Sequence, residues 1–306
     1  MPKLVVRAMT RCALGIKRFE LVHPEGAALP AFTAGAHVDV TTPIGLVRPF
    51  SLCNDPAERH RYVLAVLRES QGRGGSKAMH DKIAPGHTLS VSEPKNDFPL
   101  EEEGEHWTLV AGGIGATPLV AMAYRLHALR RCFDFHYCAR SREHLPFRAE
   151  LEALVAPDRL HIHANERAPL ARLLAKPSKN AFVYCCGPPS LMGAVRSATA
   201  DWSADRVRFE AFKVDVPEDA TAFEVELARS GQIVPVRETE SILVALWRAG
   251  ITRPLSCEVG ICGTCRTPYL EGEPEHKDTL LTPEERQREL LVCISRCRGR
   301  KLVLDI

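Results

Sequence analysis

Three cysteines crowd one short loop and a fourth stands far downstream: Cys257-x4-Cys262-x2-Cys265, then 27 residues, then Cys293. Structural zinc sites usually pair two close CxxC-type units, which is not this spacing. Three thiolates from one loop with a lone distant fourth is the pattern of a plant-type [2Fe–2S] cluster. The loop filler agrees. Gly260 and Gly263, with small Ser256 and Thr264, allow the close wrapping that brings backbone N–H groups to cluster sulfurs. Zinc, or a loop without metal, is the alternative at this point.

The other seven of the eleven cysteines are scattered: Cys12, Cys53, Cys132, Cys138, Cys185, Cys186 and Cys297. An odd count in a 306-residue chain without a signal-peptide layout argues against a secreted disulfide scaffold. A reducing, cytoplasmic setting is expected, with these thiols acting as small apolar side chains. Net charge is +2 and no basic run stands out, so neither nucleic acid nor an anionic membrane is expected as a partner. The longest apolar stretch, residues 109–123, is interrupted by Gly112, Gly113, Gly115 and Pro118, which argues against a membrane span.

The pattern along the chain divides it in three. Residues 1–102 read as short β segments between Gly, Pro, Asp and Asn turns, with one helical turn near Ser76; such spacing predicts an all-β sandwich or antiparallel β-barrel. The acidic "EEEGE" at 101–105 reads as a solvated linker. Residues 103–213 alternate strand and helix, the signature of a parallel sheet covered on both faces. "KVDVPEDATA" marks a linker over 214–222. Residues 223–306 begin with a hairpin turning at Ser230-Gly231, continue into a helix ending at Gly250, then carry the cysteine cluster and a closing strand. This part is α+β in pattern, and with its cysteine spacing it resembles a plant-type ferredoxin, a β-grasp domain.

Four further motifs stand in the first two parts. "RPFS" (48–51) closes a barrel strand, and "GRGGS" (72–76) precedes a helix; glycines there let backbone N–H groups approach a phosphate. "AGGIGATP" (111–118) joins a strand to a helix but has Pro118 where the dinucleotide fingerprint G-x-G-x-x-G has its last glycine. "CCGPPSLM" (185–192) makes a second strand-to-helix turn.

Taken with the cysteine spacing, these motifs make nearly the whole chain resemble the phthalate dioxygenase reductase family, which includes vanillate demethylase reductases. The resemblance implies a flavin barrel, an NADH domain and a ferredoxin domain in this order. The chemistry demands the flavin: a nicotinamide gives two electrons together, a [2Fe–2S] cluster takes one at a time, and a flavin converts between them. By resemblance Arg48 pairs with the flavin phosphate, with Pro49 beside it. Phe50 packs by the ring system, and Ser51 lies near flavin N5. Ala65, Val66 and Leu67 line the isoalloxazine. Gly72, Arg73, Gly74, Gly75 and Ser76 form the phosphate loop. A phosphate held by both Arg48 and Arg73 leaves no role for an adenosine half, so FMN is expected rather than FAD. Gly112, Gly113 and Gly115 would cradle the NADH pyrophosphate. Thr117 would lie near both nicotinamide and flavin. Cys186, followed by Gly187 and Pro188, would approach nicotinamide C4. Arg140 and Ser141 would hold the adenosine ribose, and Arg140 leaves NADPH open. Phe212 would sit near the flavin face. Ser51, Thr117 and Cys186 are thus the residues expected at the hydride transfer, and Cys257, Cys262, Cys265 and Cys293 the cluster ligands.

The implied activity is electron transfer from NADH through FMN and the [2Fe–2S] cluster to a terminal Rieske-type oxygenase, by a monomer. A reductase for another acceptor, such as a diiron monooxygenase, shares every motif. A zinc-bound interaction protein on a degenerate reductase scaffold is the non-enzymatic alternative. His161 and His163 fall on one strand face, but the sequence offers no carboxylate to complete a metal site with them.

Overall fold

The computed structural model describes residues 1–69, 74–175, 179–212, 220–238, 240–254, 260, 263–278 and 280–306. They form two compact units, Met1–Ala211 and Phe212–Ile306.

The first unit opens with six strands: β1 (Lys3–Ala13), β2 (Ile16–Val22), β3 (His37–Thr41), β4 (Val47–Ser51), β5 (Tyr62–Leu67) and β6 (Thr88–Val91). They lie in the order β4-β3-β6-β1-β2-β5. A bridge between Leu52, just past β4, and Leu64 of β5 links the two edges, so the antiparallel sheet curls into a barrel. Alternation along the strands puts Val6, Phe19, Leu21, Val38, Val40, Leu64 and Val66 inside. Helix α1 (Gly75–Lys82) follows β5.

Five parallel strands come next: β7 (His106–Gly112), β8 (Phe133–Ala139), β9 (Leu160–Ala164), β10 (Ala181–Cys186) and β11 (Val207–Glu210), ordered β11-β10-β7-β8-β9. Helices α2 (Ala116–Ala128), α3 (Arg148–Leu154), α4 (Leu170–Leu173) and α5 (Pro189–Ala198) connect them. One face packs on α2 and α3 through Leu109, Phe135 and Tyr137. The other packs under α4 and α5 through Val110, Val183 and Cys185. The barrel shares the first of these cores: Ile16, Cys53, Val63 and Ala65 belong to the same buried cluster as Met122, Phe147 and Cys186.

That shared core goes with a correction. Residues 101–105 are not a solvated linker. Glu101 donates its backbone N–H to the Tyr184 hydroxyl and accepts from Trp107 Nε1 at its backbone carbonyl, and Glu102 pairs with Arg125 at 2.7 Å. Gly104 lies so close to Phe182 and Trp107 that a Cβ would stand 2.8 Å from each ring. Acidic composition suggested solvent; the aromatic residues downstream supply the partners.

The second unit holds β12 (Phe223–Leu227), β13 (Ile233–Val236), α6 (Ile242–Arg248), β14 (Arg266–Glu271), β15 (Pro274–Glu275), β16 (Glu289–Leu291), β17 (Arg296–Cys297) and β18 (Lys301–Leu304). The main sheet runs β13-β12-β18-β14-β16. Its β12–β18 pair is parallel and its other pairs antiparallel, the mixed sheet expected of a β-grasp domain. Ser241 caps α6 by accepting from Val244 N–H, and Ile242, Leu243, Ala245 and Leu246 seat the helix on the sheet.

Candidate functional site

The residues expected at a flavin phosphate come from neighbouring pieces of the fold. Arg48 lies across β3 from Val40. Its stem rests on the first residue of α1: a Cβ on Gly75 would meet Arg48 Cγ and Nε at 3.3 Å. Helix α1 begins at Gly74, which has a φ of 85°, with no side-chain cap and no acid in its first turn. An uncapped helix start beside a guanidinium favours an anion. Burial draws Arg48 down to about 10, the effect a bound phosphate would reverse. Ser76 Oγ accepts from Glu69 N–H at 3.1 Å and pins the start of the loop; Gly72 and Arg73 lie outside the described residues. Thr42, which no motif marked, is buried beside Gly75, and its hydroxyl has no partner among the described residues. These residues fit a phosphate-bearing flavin.

The ring-side positions separate. Ser51 is buried at the end of β4. Phe50 packs against the barrel core, and Pro49 is half-buried beside it. Ala65 and Leu67 join the seam shared with the parallel-sheet domain, whereas Val66 points into the barrel and its carbonyl contacts His80 Nε2 at 2.7 Å.

On the nicotinamide side, the two glycine turns pack directly on each other. A Cβ on Gly187 would lie 2.9 Å from Gly112 Cα, one on Gly112 would lie 2.5 Å from Pro188 Cδ, and one on Gly115 would collide with the Cys186 carbonyl. These glycines are thus required by backbone contact. Gly113, with a φ of 53° and open space where a Cβ would project, leaves the outer side of the loop clear. Thr117 is buried and donates its hydroxyl to Ile114 O at 3.0 Å.

Cys186 is buried between Ala111 and Glu210 in the parallel register. Burial, reinforced by Glu210 and Cys185, pushes its thiol well up, so it acts as a neutral, apolar contact. Glu210 is a residue the sequence reading passed over. It is buried, its Oε2 has no partner among the described residues, and burial with the nearby Asp97 raises its carboxyl to about 8. The signal was a lone carboxylate in the otherwise apolar end of "VRFEAF".

Arg140 is exposed at the end of β8, and Ser141 Oγ pairs with His144 Nδ1 at 2.8 Å. Phe212 is 40% exposed and begins the second unit. His161 and His163 do share a face, stacked with buried His136. Contrary to expectation, carboxylates stand near them: Asp134 lies 3.9 Å from His161 and Glu166 lies 3.6 Å from His163. Yet among the described residues no group of three His, Cys, Asp or Glu gathers to hold a metal. Of the scattered cysteines, Cys53, Cys185, Cys186 and Cys297 are buried and Cys12 and Cys138 half-buried; Cys132 is exposed, against expectation.

In the second unit, Cys265 immediately precedes β14 and Cys293 follows β16 by two residues. Because Arg266 pairs with Leu291, both cysteines fall at the same end of this strand pair, and both are buried. Cys257 and Cys262 lie outside the described residues. Gly260 and Gly263 are both closely packed. Gly260 has a φ of 79°, and a Cβ there would meet Ile294 Cγ2 at 2.9 Å; Gly263 has a φ of 71° and would meet Leu280 Cδ2 at 2.9 Å. A buried thiol pair at one strand end, with positive-φ glycines at 260 and 263, fits an all-cysteine cluster.

A barrel fused to a parallel nucleotide-type sheet, followed by a β-grasp unit with thiols at one strand end, defines a ferredoxin-reductase module joined to a plant-type ferredoxin. Residues 225–298 match the 2Fe-2S iron-sulfur cluster binding domain family. The chain is 42% identical to the tert-butanol monooxygenase / tert-amyl alcohol desaturase reductase subunit of Aquincola tertiaricarbonis, covering 99% of this chain and 95% of that one. It is 43% identical to the phthalate 4,5-dioxygenase oxygenase reductase subunit of Pseudomonas putida, over 99% and 96%. The solved structure of phthalate dioxygenase reductase, described as a modular structure for electron transfer from pyridine nucleotides to [2Fe-2S], superposes with a TM-score of 0.79 at 39% identity over 99% and 97% of the two chains. The chain belongs to the phthalate dioxygenase reductase family.

Proposed function

We propose that this chain is the reductase component of a Rieske-type aromatic-ring oxygenase or demethylase system, taking electrons from NADH and delivering them to the terminal oxygenase. The observation that carries this reading is the full-length similarity to reductase subunits of oxygenase systems. When bound, FMN supplies the exchange between two-electron and one-electron transfer.

The residues divide the work. Arg48, the start of α1 and the loop Gly72, Arg73, Gly74, Gly75 and Ser76 hold the flavin phosphate. Pro49, Phe50, Ser51 and the strand Ala65, Val66 and Leu67 bound the ring, with Phe212 on its face. Gly112, Gly113, Gly115, Gly187 and Pro188 shape the path of NADH, and Arg140 with Ser141 takes its adenosine ribose. Thr117 and Cys186 position the nicotinamide and keep water from it, since both are buried. Cys257, Cys262, Cys265 and Cys293 hold the [2Fe–2S] cluster. The working domains are 1–102, 103–213 and 223–306, joined by 214–222. No helix among the described residues is long and apolar enough to cross a membrane, and a cytoplasmic monomer accords with this reading.

The test combines the purified protein, NADH and a purified Rieske oxygenase with its substrate. Product formation coupled to NADH oxidation is expected. Reduction of artificial dyes and of a diiron hydroxylase, with every Rieske oxygenase left oxidised, would overturn the assignment of partner.

A further inference from the structure

The barrel and the parallel-sheet domain meet over an apolar seam that contains Ile16, Ala65, Met122 and Phe147. An ion pair crosses between them: Arg18 Nη1 donates to Glu150 Oε1 at 2.7 Å, with the two side chains only 26% and 28% exposed. The guanidinium also lies 5.9 Å from the centre of the Phe147 ring. Phe147 is buried and holds a φ of 60°, a conformation uncommon outside glycine. A second tie runs alongside, from Leu14 N–H to Glu143 O at 2.8 Å. The β1–β2 hairpin is thus fastened at two points, to α3 itself and to the segment that leads into it.

Arg18 occupies a telling place in the barrel. It stands directly opposite Ala65 in the β2–β5 register, and Ile16 stands opposite Leu67. Side chains opposite each other share a face of the sheet. The ion pair therefore grips the face of the ribbon that carries Ala65 and Leu67, two of the proposed flavin-lining residues.

We propose that Arg18 and Glu150 are positioning residues for hydride transfer, fixing the NADH-binding domain against the flavin-bearing ribbon. This rests on the NADH–FMN reading above. In that step the C4–H bond of NADH breaks, both electrons leave with the hydrogen, and an N–H bond forms at flavin N5. The nicotinamide is oxidised and the flavin reduced. Arg18 and Glu150 are not among the residues proposed to hold either reactant. Their effect is through distance: reacting atoms must approach to about 3–3.5 Å, and a displacement of about 1 Å can cost on the order of a hundredfold in rate. An exposed ion pair would hold little; this one is largely sequestered and is reinforced by the ring contact and the backbone tie.

The test follows anaerobic flavin reduction by NADH in the holoenzyme, by stopped flow, for Arg18→Met, Glu150→Gln, the two combined, and the charge exchange Arg18→Glu with Glu150→Arg. Each single change is expected to lower the limiting rate about tenfold. FMN affinity and the NADH concentration at half-maximal rate should stay within about twofold, and long-wavelength nicotinamide–flavin charge-transfer absorbance should weaken. The combined variant should be no slower than the slower single one, and the charge exchange should recover most of the loss. Unchanged limiting rates, independent effects that multiply in the combined variant, or a loss explained wholly by FMN release would overturn the proposal. Wild-type flavin that NADH fails to reduce would instead overturn the reading on which it rests.

Discussion

Glu210 offers a quantitative test of the site, because its environment works against its charge. Its carboxyl is buried at the end of β11 beside Cys186, and its folded value of about 8 stands far above the ordinary 4.5. Burial is the main cause and the nearby Asp97 the second. Between those two values the folded protein holds a proton that the unfolded chain releases. Stability therefore falls as pH rises through this window and levels off above about 8. Each pH unit inside the window is worth about 1.4 kcal/mol. Between pH 5.5 and 7.5 this single group should remove roughly 2–3 kcal/mol. Glu210→Gln keeps the shape and the neutral charge of the folded form and eliminates that slope. Urea unfolding of both proteins at the two pH values measures it. With a slope of about 2–3 kcal/mol/M, the midpoint of the variant relative to wild type should rise by roughly 1 M from pH 5.5 to 7.5. A difference independent of pH would show that Glu210 is ionised in the folded state, and the account of a neutral, water-free pocket around Cys186 would fail.

Two further perturbations probe the cofactor sites. Cys293→Ala removes the one proposed ligand outside the 257–265 loop, so iron content and cluster absorbance should fall while flavin is retained; wild-type iron in the variant would refute the ligand assignment. Arg48→Ala should weaken FMN binding on the order of tenfold to a hundredfold, since a hydrogen bond to a charged group is worth about 1.5–3 kcal/mol; reconstitution of the apoprotein followed by flavin fluorescence would reveal it, and unchanged affinity would remove Arg48 from the phosphate site.

Much of the fold was legible because its signals are local. Strands β7–β11 and their helices follow from strict alternation, and the turn at Ser230-Gly231 from residue type: Gly231 has a φ of 69°. The spacing of Cys265 and Cys293 also survived into three dimensions, as a shared strand end. What could not be read depends on partners distant in sequence. "EEEGE" resembles a solvated stretch until Trp107, Arg125 and Tyr184 are brought to it. His161 seemed to lack a carboxylate because Asp134 belongs to the neighbouring strand, and pairing sets its distance. Thr42 and Glu210 sit outside every motif. Nothing local distinguishes a buried hydroxyl from an exposed one, and Glu210 is unusual only because the sheet closes over it.

The two units differ in how their cores are organised, and this bears on electron transfer. The barrel keeps a core of its own around Val6, Phe19 and Leu64, but barrel and parallel sheet also share one: Ile16, Cys53, Val63 and Ala65 lie in the same buried cluster as Met122, Phe147 and Cys186. Interiors this closely packed resist small displacements, so the seam where nicotinamide and flavin would meet is held to one geometry. Hydride transfer needs that, because its rate depends steeply on reacting distance. The C-terminal unit instead closes a core of its own around Phe223, Val234, Leu246, Leu290 and Leu302, which also takes in Cys265 and Cys293. Those two thiols are buried in a cluster formed by the second unit's own described residues, from β12, β13, α6, β16 and β18. The C-terminal unit therefore carries the packing that surrounds its proposed ligands within its own sheet. The flavin and nicotinamide residues, in contrast, depend on the union of two sheets. A destabilising change at the seam should accordingly impair hydride transfer before it disturbs the cysteine site.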